Sequence, residues 1–130
     1  MKSSTLIHFF SFVPPFFLPT SAWANSGENT YKTVCVVCHT AGVAGAPKLG
    51  DKTKWAPLIK EGQVQLTSHG YVGIRSMPAK GGKSDLSVQD FAASLVYMVN
   101  QSGGSWQNPD VATLKKIDAE IIRRQTQLRK

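Results

Sequence analysis

The sequence predicts an all-α protein, one small domain followed by an amphipathic helical extension, and three observations carry that reading. Apolar residues recur at helical spacing along residues 87–100 and again along residues 108–128, no stretch alternates with the period of two that a half-buried strand needs, and 130 residues hold one core with no room for a second of enzyme size. Lys and Arg number 15 against 8 Asp and Glu, a net charge of +7 that suits an acidic protein partner, anionic lipid or nucleic acid. The 2 cysteines stand three positions apart and cannot build long-range disulfides, so a core this small needs another staple, a metal or a bound cofactor.

Residues 1–24 open with Lys2, continue through an apolar run containing Leu6, Ile7, Phe9, Phe10, Phe12 and Val13, and close on Ala22-Trp23-Ala24. That is the form of a secretory signal peptide with a small-x-small cleavage site, which sends the product to the periplasm and makes nucleic acid an unlikely partner class. Pro14, Pro15 and Pro19 interrupt the run, which falls short of the roughly 20 apolar residues of a membrane span. A retained anchor is the alternative. Residues 25–102 form the domain, and residues 103–130 form a basic helical extension.

Residues 26–38 read as the first helix, with Ser26 as cap and Glu28 in its first turn. Residues 40–53, rich in Gly, Ala, Pro and Lys, read as loop, and residues 55–69 as two helical pieces broken near Gly62. Residues 70–86 are again loop. Ser87-Val88-Gln89-Asp90 has the form of a capping box for a helix to about Asn100, with Phe91, Ala92, Leu95 and Val99 inward. In the extension Asn108 caps, Pro109 takes the first helical position, and Val111, Leu114, Ile117, Ile121 and Leu128 share a stripe.

Cys35-Val36-Val37-Cys38-His39 matches the attachment pattern of c-type haem. On a helix, positions i, i+3 and i+4 leave one face, so two thiols reach the two vinyl groups of one porphyrin edge while the imidazole lies over the iron. A thioredoxin-like redox pair needs a βαβ context that this pattern lacks, and a zinc site needs a fourth ligand. The second axial position falls to Met77, Met98 or His69. Met98 lies within the helix that starts at Ser87, where methionine packs a core, and His69 ends a short helix as a surface residue or a ligand. Met77 lies in an irregular loop before Pro78, which restricts its backbone, and its sulfur is the one best placed to turn to a metal. A soft, neutral thioether favours Fe(II), and two filled axial positions leave outer-sphere electron transfer as the available chemistry.

At this point the chain resembles the class I c-type cytochromes, and within them the bacterial cytochrome c-five type. The resemblance rests on Gly27, Tyr31 and the Cys35 to His39 motif, on residues 44–52 and Trp55-Ala56-Pro57, and on Met77-Pro78, Lys80-Gly81-Gly82 and Tyr97. It implies a cytochrome c-like monohaem domain with one haem c bound through Cys35 and Cys38 and ligated by His39 and Met77. It also implies that Pro47 holds the His39 ring through its carbonyl, that Trp55 joins the cofactor-binding residues, and that Gly27 and Tyr31 form a close crossing with the helix at Tyr97. Three positions depart from the pattern: Ala79 replaces a second proline, Leu58 an arginine and Lys83 a cysteine, which bear on loop rigidity, a haem propionate contact and an extra disulfide.

The function expected is that of an exported electron carrier between respiratory redox partners, not an enzyme. Two rivals remain: a haem subunit docked by its C-terminal helix onto an oxidase or reductase, and a gas- or peroxide-reactive haem if Met77 leaves the iron open. Lys48, Lys52, Lys54, Lys80 and Lys83 fall in the two loops around the expected haem, either as solvated surface or as a ring that steers a partner with an acidic docking surface. The extension's apolar stripe suits its own domain, a partner protein, or weak association with an anionic membrane surface.

Overall fold

The computed structural model describes residues 22–130, with side chains from residue 26 onward, so nearly all of the expected leader lies outside the described residues. The first helix, α1 (Ala22–Thr30), begins upstream of Ser26, which therefore sits inside it and not at its cap. The chain runs on without a break through a π-helical turn (Tyr31–Cys35) into α2 (Val36–His39), every junction residue keeping right-handed helical dihedrals. A π turn is a rare local widening that recurs beside functional sites, and this one ends on the first cysteine of the motif.

The 40s loop contains one short 3-10 turn (Val43–Gly45). Helix α3 (Lys52–Lys60) starts earlier than its apolar residues suggest, because the Asp51 carboxylate accepts the Lys54 N–H at 3.0 Å and caps it. Gly62, at a φ of 86°, makes the break before α4 (Gln63–Val72), where sequence reading put it. A second 3-10 turn (Ala79–Gly82) lies in the next loop. Ser87 then caps α5 (Val88–Gln101), its Oγ accepting the Asp90 N–H at 3.0 Å. The box is not reciprocal: the Asp90 carboxylate accepts from the Ser87 hydroxyl at 2.7 Å.

The last helix, α6 (Val111–Leu128), is capped by Asp110, whose carboxylate takes the Thr113 N–H at 2.7 Å, two residues beyond the cap expected at Asn108. Pro109 is buried ahead of that cap, outside the helix. Ile117 and Ile121 are buried against α4, which α6 packs along, at a gain of about 1.5–3 kcal/mol for each side chain. The expected stripe is shorter than predicted, since Val111 and Leu128 extend past the ends of that contact and stay exposed. The linker between α5 and α6 is tied down by Asn100, whose side-chain amide bonds both the N–H and the C=O of Trp106 at 2.7 and 2.9 Å.

Helix α5 is the centre of the molecule. Its inner face gives Leu95, Met98 and Val99 to a core completed by Tyr31, Cys35, Trp55 and Leu66. α1 crosses it closely at Gly27, where a Cβ would meet the Ala93 carbonyl oxygen at 2.3 Å, and the Tyr31 and Tyr97 rings stack tilted at 5.3 Å just beyond. The crossing expected from the resemblance is thus present. The described residues form no multi-residue strand, only a single bridge between Ile74 and Met77.

Candidate functional site

Cys35, Cys38 and His39 are delivered by the helical run from the π turn into α2. The two cysteines are not joined to each other by a disulfide. Cys35 is buried and 3.8 Å from the Ser94 hydroxyl of α5, and burial pushes its thiol pKa up, against a smaller downward pull from Ser94. His39 is buried, and its Nδ1 stands 2.8 Å from the Pro47 carbonyl. A carbonyl only accepts, so that bond places the proton on Nδ1 and leaves Nε2 as the lone-pair nitrogen, the tautomer a metal needs.

The 40s loop closes around this ring by backbone bonds. The Leu49 N–H donates to the His39 carbonyl at 2.7 Å, and the Trp55 indole N–H donates to the Lys48 carbonyl at 2.8 Å. Trp55 is only 2% exposed and its ring lies 6.1 Å from that of His39. On the far side of the motif the Tyr31 hydroxyl bonds the Thr40 hydroxyl at 2.9 Å. His39, Pro47 and Trp55 thus form one locked unit.

Met77 lies on a tight turn in which Ile74 and Met77 exchange both backbone hydrogen bonds, at 2.9 and 3.1 Å, with Arg75 in the left-handed region at a φ of 52°. These two bonds hold the backbone of Met77 from its N-terminal side. Two glycines make room for it. A Cβ at Gly73 would meet the Ala79 nitrogen at 2.9 Å, and one at Gly70 would meet the Phe91 ring at 2.7 Å and the Met77 methyl at 3.5 Å. Sequence reading missed both glycines, because neither carries chemistry and their value is the space they leave.

The other two axial candidates are engaged elsewhere. Met98 is 2% exposed in the core. His69 bonds Glu61 through Nδ1 at 2.9 Å, and burial, then the charge of Arg124, lower its pKa against the upward pull of Glu61 and Glu120. No cluster of three His, Cys, Asp or Glu side chains suited to a metal ion occurs among the described residues. Two cysteines and a histidine on one helical run fit the attachment and ligation of a covalent haem and fall one ligand short of a zinc site.

Residues 22–98 match the protein family described as cytochrome C oxidase, cbb3-type, subunit III. The chain belongs to the cytochrome c family. It is 45% identical over 83 residues to cytochrome c-555 of Chlorobaculum tepidum, an alignment covering 61% of this chain and 77% of that protein. It is 32% identical over 74 residues to cytochrome c5 of Azotobacter vinelandii, covering 55% and 89% respectively. Among solved structures, a chain of an electron transfer complex of nitrite reductase with cytochrome c superposes with a TM-score of 0.57 at 40% identity, over 59% of this chain and 94% of that one. As a monohaem c-type cytochrome the chain carries a covalently attached haem c. The family match ends within α5, and α6 lies wholly beyond it.

Of the five lysines read as loop residues, Lys52 and Lys54 instead occupy the first turn of α3. Lys80 donates to the Ser84 carbonyl at 2.8 Å with its ammonium 5.0 Å from the Tyr71 ring centre, and Lys83 pairs with Asp85 at 2.7 Å. Lys48, Lys52 and Lys54 are exposed and make no ion pair among the described residues. No helix among the described residues is long and apolar enough to cross a membrane.

Proposed function

We propose that this cytochrome is an exported one-electron carrier, shuttling between redox partner proteins by outer-sphere transfer and catalysing no reaction of its own. Cys35 and Cys38 would hold the haem by thioethers, and His39 and Met77 would ligate its iron. The bound haem supplies a one-electron Fe(III)/Fe(II) couple. The observation that carries the reading is the His39 bond to the Pro47 carbonyl, which orients the ring and leaves its other nitrogen free for a metal. Trp55 and the 40s loop keep water from that ring, and Met77, held by the backbone bonds of its turn, would supply the second ligand that leaves no vacant site for oxygen or substrates.

Residues 1–24 direct the chain to the periplasm and are removed after Ala24, leaving residues 25–102 as the haem domain and residues 103–130 as the extension. The exposed Lys48, Lys52 and Lys54 favour a partner with an acidic docking surface, giving fast and salt-sensitive encounters. In the rival reading, a subunit anchored by α6 to an oxidase or reductase, Ile117 and Ile121 are already spent on α4, and the docking residues are the exposed Val111, Ile122 and Leu128.

Redox-resolved absorption spectra with a pyridine haemochrome assay test the reading. A covalent haem, a sulfur-to-iron charge-transfer band in the oxidised protein and no carbon monoxide adduct in the reduced protein are expected. Carbon monoxide binding at neutral pH would replace the carrier with a gas- or peroxide-reactive haem.

A further inference from the structure

We propose that α6 is a positioning clamp for Met77, acting through α4 and the turn that follows it. This rests on the reading that Met77 is an axial ligand. Helix α4 is gripped on two sides. The Ser68 hydroxyl, fully buried, bonds the Val64 carbonyl at 2.7 Å and reaches the Ile117 carbonyl of α6 at 3.4 Å. Gly70 is two residues on, about 200° around the helix and therefore on the opposite face. It is there that the Met77 methyl and the Phe91 ring come close. Whatever shifts α4 on the α6 side moves the floor under Met77 on the other.

Polar contacts fix the same register. Gln63, at the start of α4, donates to the Gln107 carbonyl of the linker that leads into α6, at 2.9 Å. His69, near the end of α4, is held by Glu61 and feels the charge of Arg124. Farther along, Arg124, Gln127 and Leu128 of α6 wall one cavity of about 210 Å³ with Gly73, Ile74 and Arg75. Ile74 is the residue whose backbone bonds bracket Met77, so the last turns of α6 and the turn that carries the ligand face each other across this pocket. The helix is thus placed to set how often the methionine loop opens, although it contains no ligand itself.

The test uses full-length haem-loaded protein and compares Ile117→Ala with Val99→Ala, a fully buried α5 residue of the main core. Added imidazole competes with methionine for the oxidised iron, so its apparent affinity reads loop opening, and hydrogen exchange at the Ile74 and Met77 amides of the same haem-loaded protein reads that motion without relying on an added ligand. The clamp predicts that Ile117→Ala raises imidazole affinity at least about fivefold and speeds both amides by a similar factor, with Val99→Ala changing either by less than about twofold at comparable melting temperature. Ile117→Val gives a smaller effect of the same sign and serves if the alanine variant folds poorly. Equal effects in the Ile117 and Val99 variants would overturn the clamp. Absence of the sulfur-to-iron band in unmodified protein would overturn Met77 ligation instead, and the amide exchange comparison would still judge the clamp on the turn.

Discussion

Replacing Gly27 with alanine pits two effects of opposite sign against each other. In an isolated helix the change gains about 1 kcal/mol, because glycine is the poorer helix former. Here the new Cβ would stand 2.3 Å from the Ala93 carbonyl oxygen and 2.8 Å from its carbon. Relief to a normal separation of about 3.3 Å needs roughly 1 Å of movement, and the obstacle is helix backbone that cannot rotate away. A gap of that size forfeits a quarter to a half of each dispersion contact across the α1–α5 crossing, including those of the Tyr31 and Tyr97 rings at 5.3 Å. Overpacking at its upper range costs about 3 kcal/mol, so the net loss is about 2 kcal/mol. For a domain of this size that lowers the melting temperature by about 8–16 °C. Thermal denaturation of the haem-loaded protein, followed by circular dichroism, gives the number. An unchanged or higher melting temperature would mean that helix propensity wins and that the crossing is not tight.

Further expectations concern the ligand, the protonation of His69 and a helix cap. Met77→Ala abolishes the sulfur-to-iron band and lets the reduced protein bind carbon monoxide, whereas Met98→Ala keeps the band and loses about 2–5 kcal/mol of stability in denaturant titration. The His69 pKa lies below its ordinary 6.5, chiefly through burial and then Arg124, so the unfolded chain takes up a proton first as pH falls. Its contribution is complete above pH 6.5 and drains away as pH drops toward the folded value. Denaturation midpoints compared at pH 7.5 and pH 5 should therefore fall further in the unmodified protein than in His69→Gln. Ser87→Ala removes the hydroxyl that caps α5 and costs about 1 kcal/mol, read as a lower melting temperature with an unchanged haem spectrum.

What could be read without coordinates was whatever local spacing dictates. The cysteine pair and His39 follow from i, i+3, i+4 geometry, and α5 follows from a serine cap ahead of a strongly apolar face, so both stood in the sequence. Met98 could be assigned to the core for the same reason. The onset of α6 could not, because Asn108 and Asp110 are both good caps and only the fold shows that the Thr113 N–H goes to Asp110. The exposure of Leu128 was equally hidden, since periodicity tells which face is apolar but not where the neighbouring helix stops. The role of His69 depends on Glu61 and Arg124, which meet it from an earlier turn and from another helix. Gly70 and Gly73 show only as punctuation in a sequence, and their meaning appears when Met77 is seen folded over them.

The π turn has a consequence for how this protein can change. Four residues of regular α-helix overshoot a full circle by about 40°, so three such steps, from Gly27 through Tyr31 and Cys35 to His39, would carry the histidine about 120° around the axis from the glycine. Yet all four residues are buried on one seam. The widened turn from Tyr31 to Cys35 advances less per residue and takes back that drift, acting as a phase corrector between the half of the rod that crosses α5 and the half that presents the iron ligand. The segment therefore carries one residue more than a regular α-helix needs to bring Gly27 and His39 to the same side. Deleting one residue between Tyr31 and Cys35 would let it close into regular α-helix with Gly27 and His39 only about 20° apart, whereas deleting two would swing them about 80° apart and take Gly27 out of its crossing.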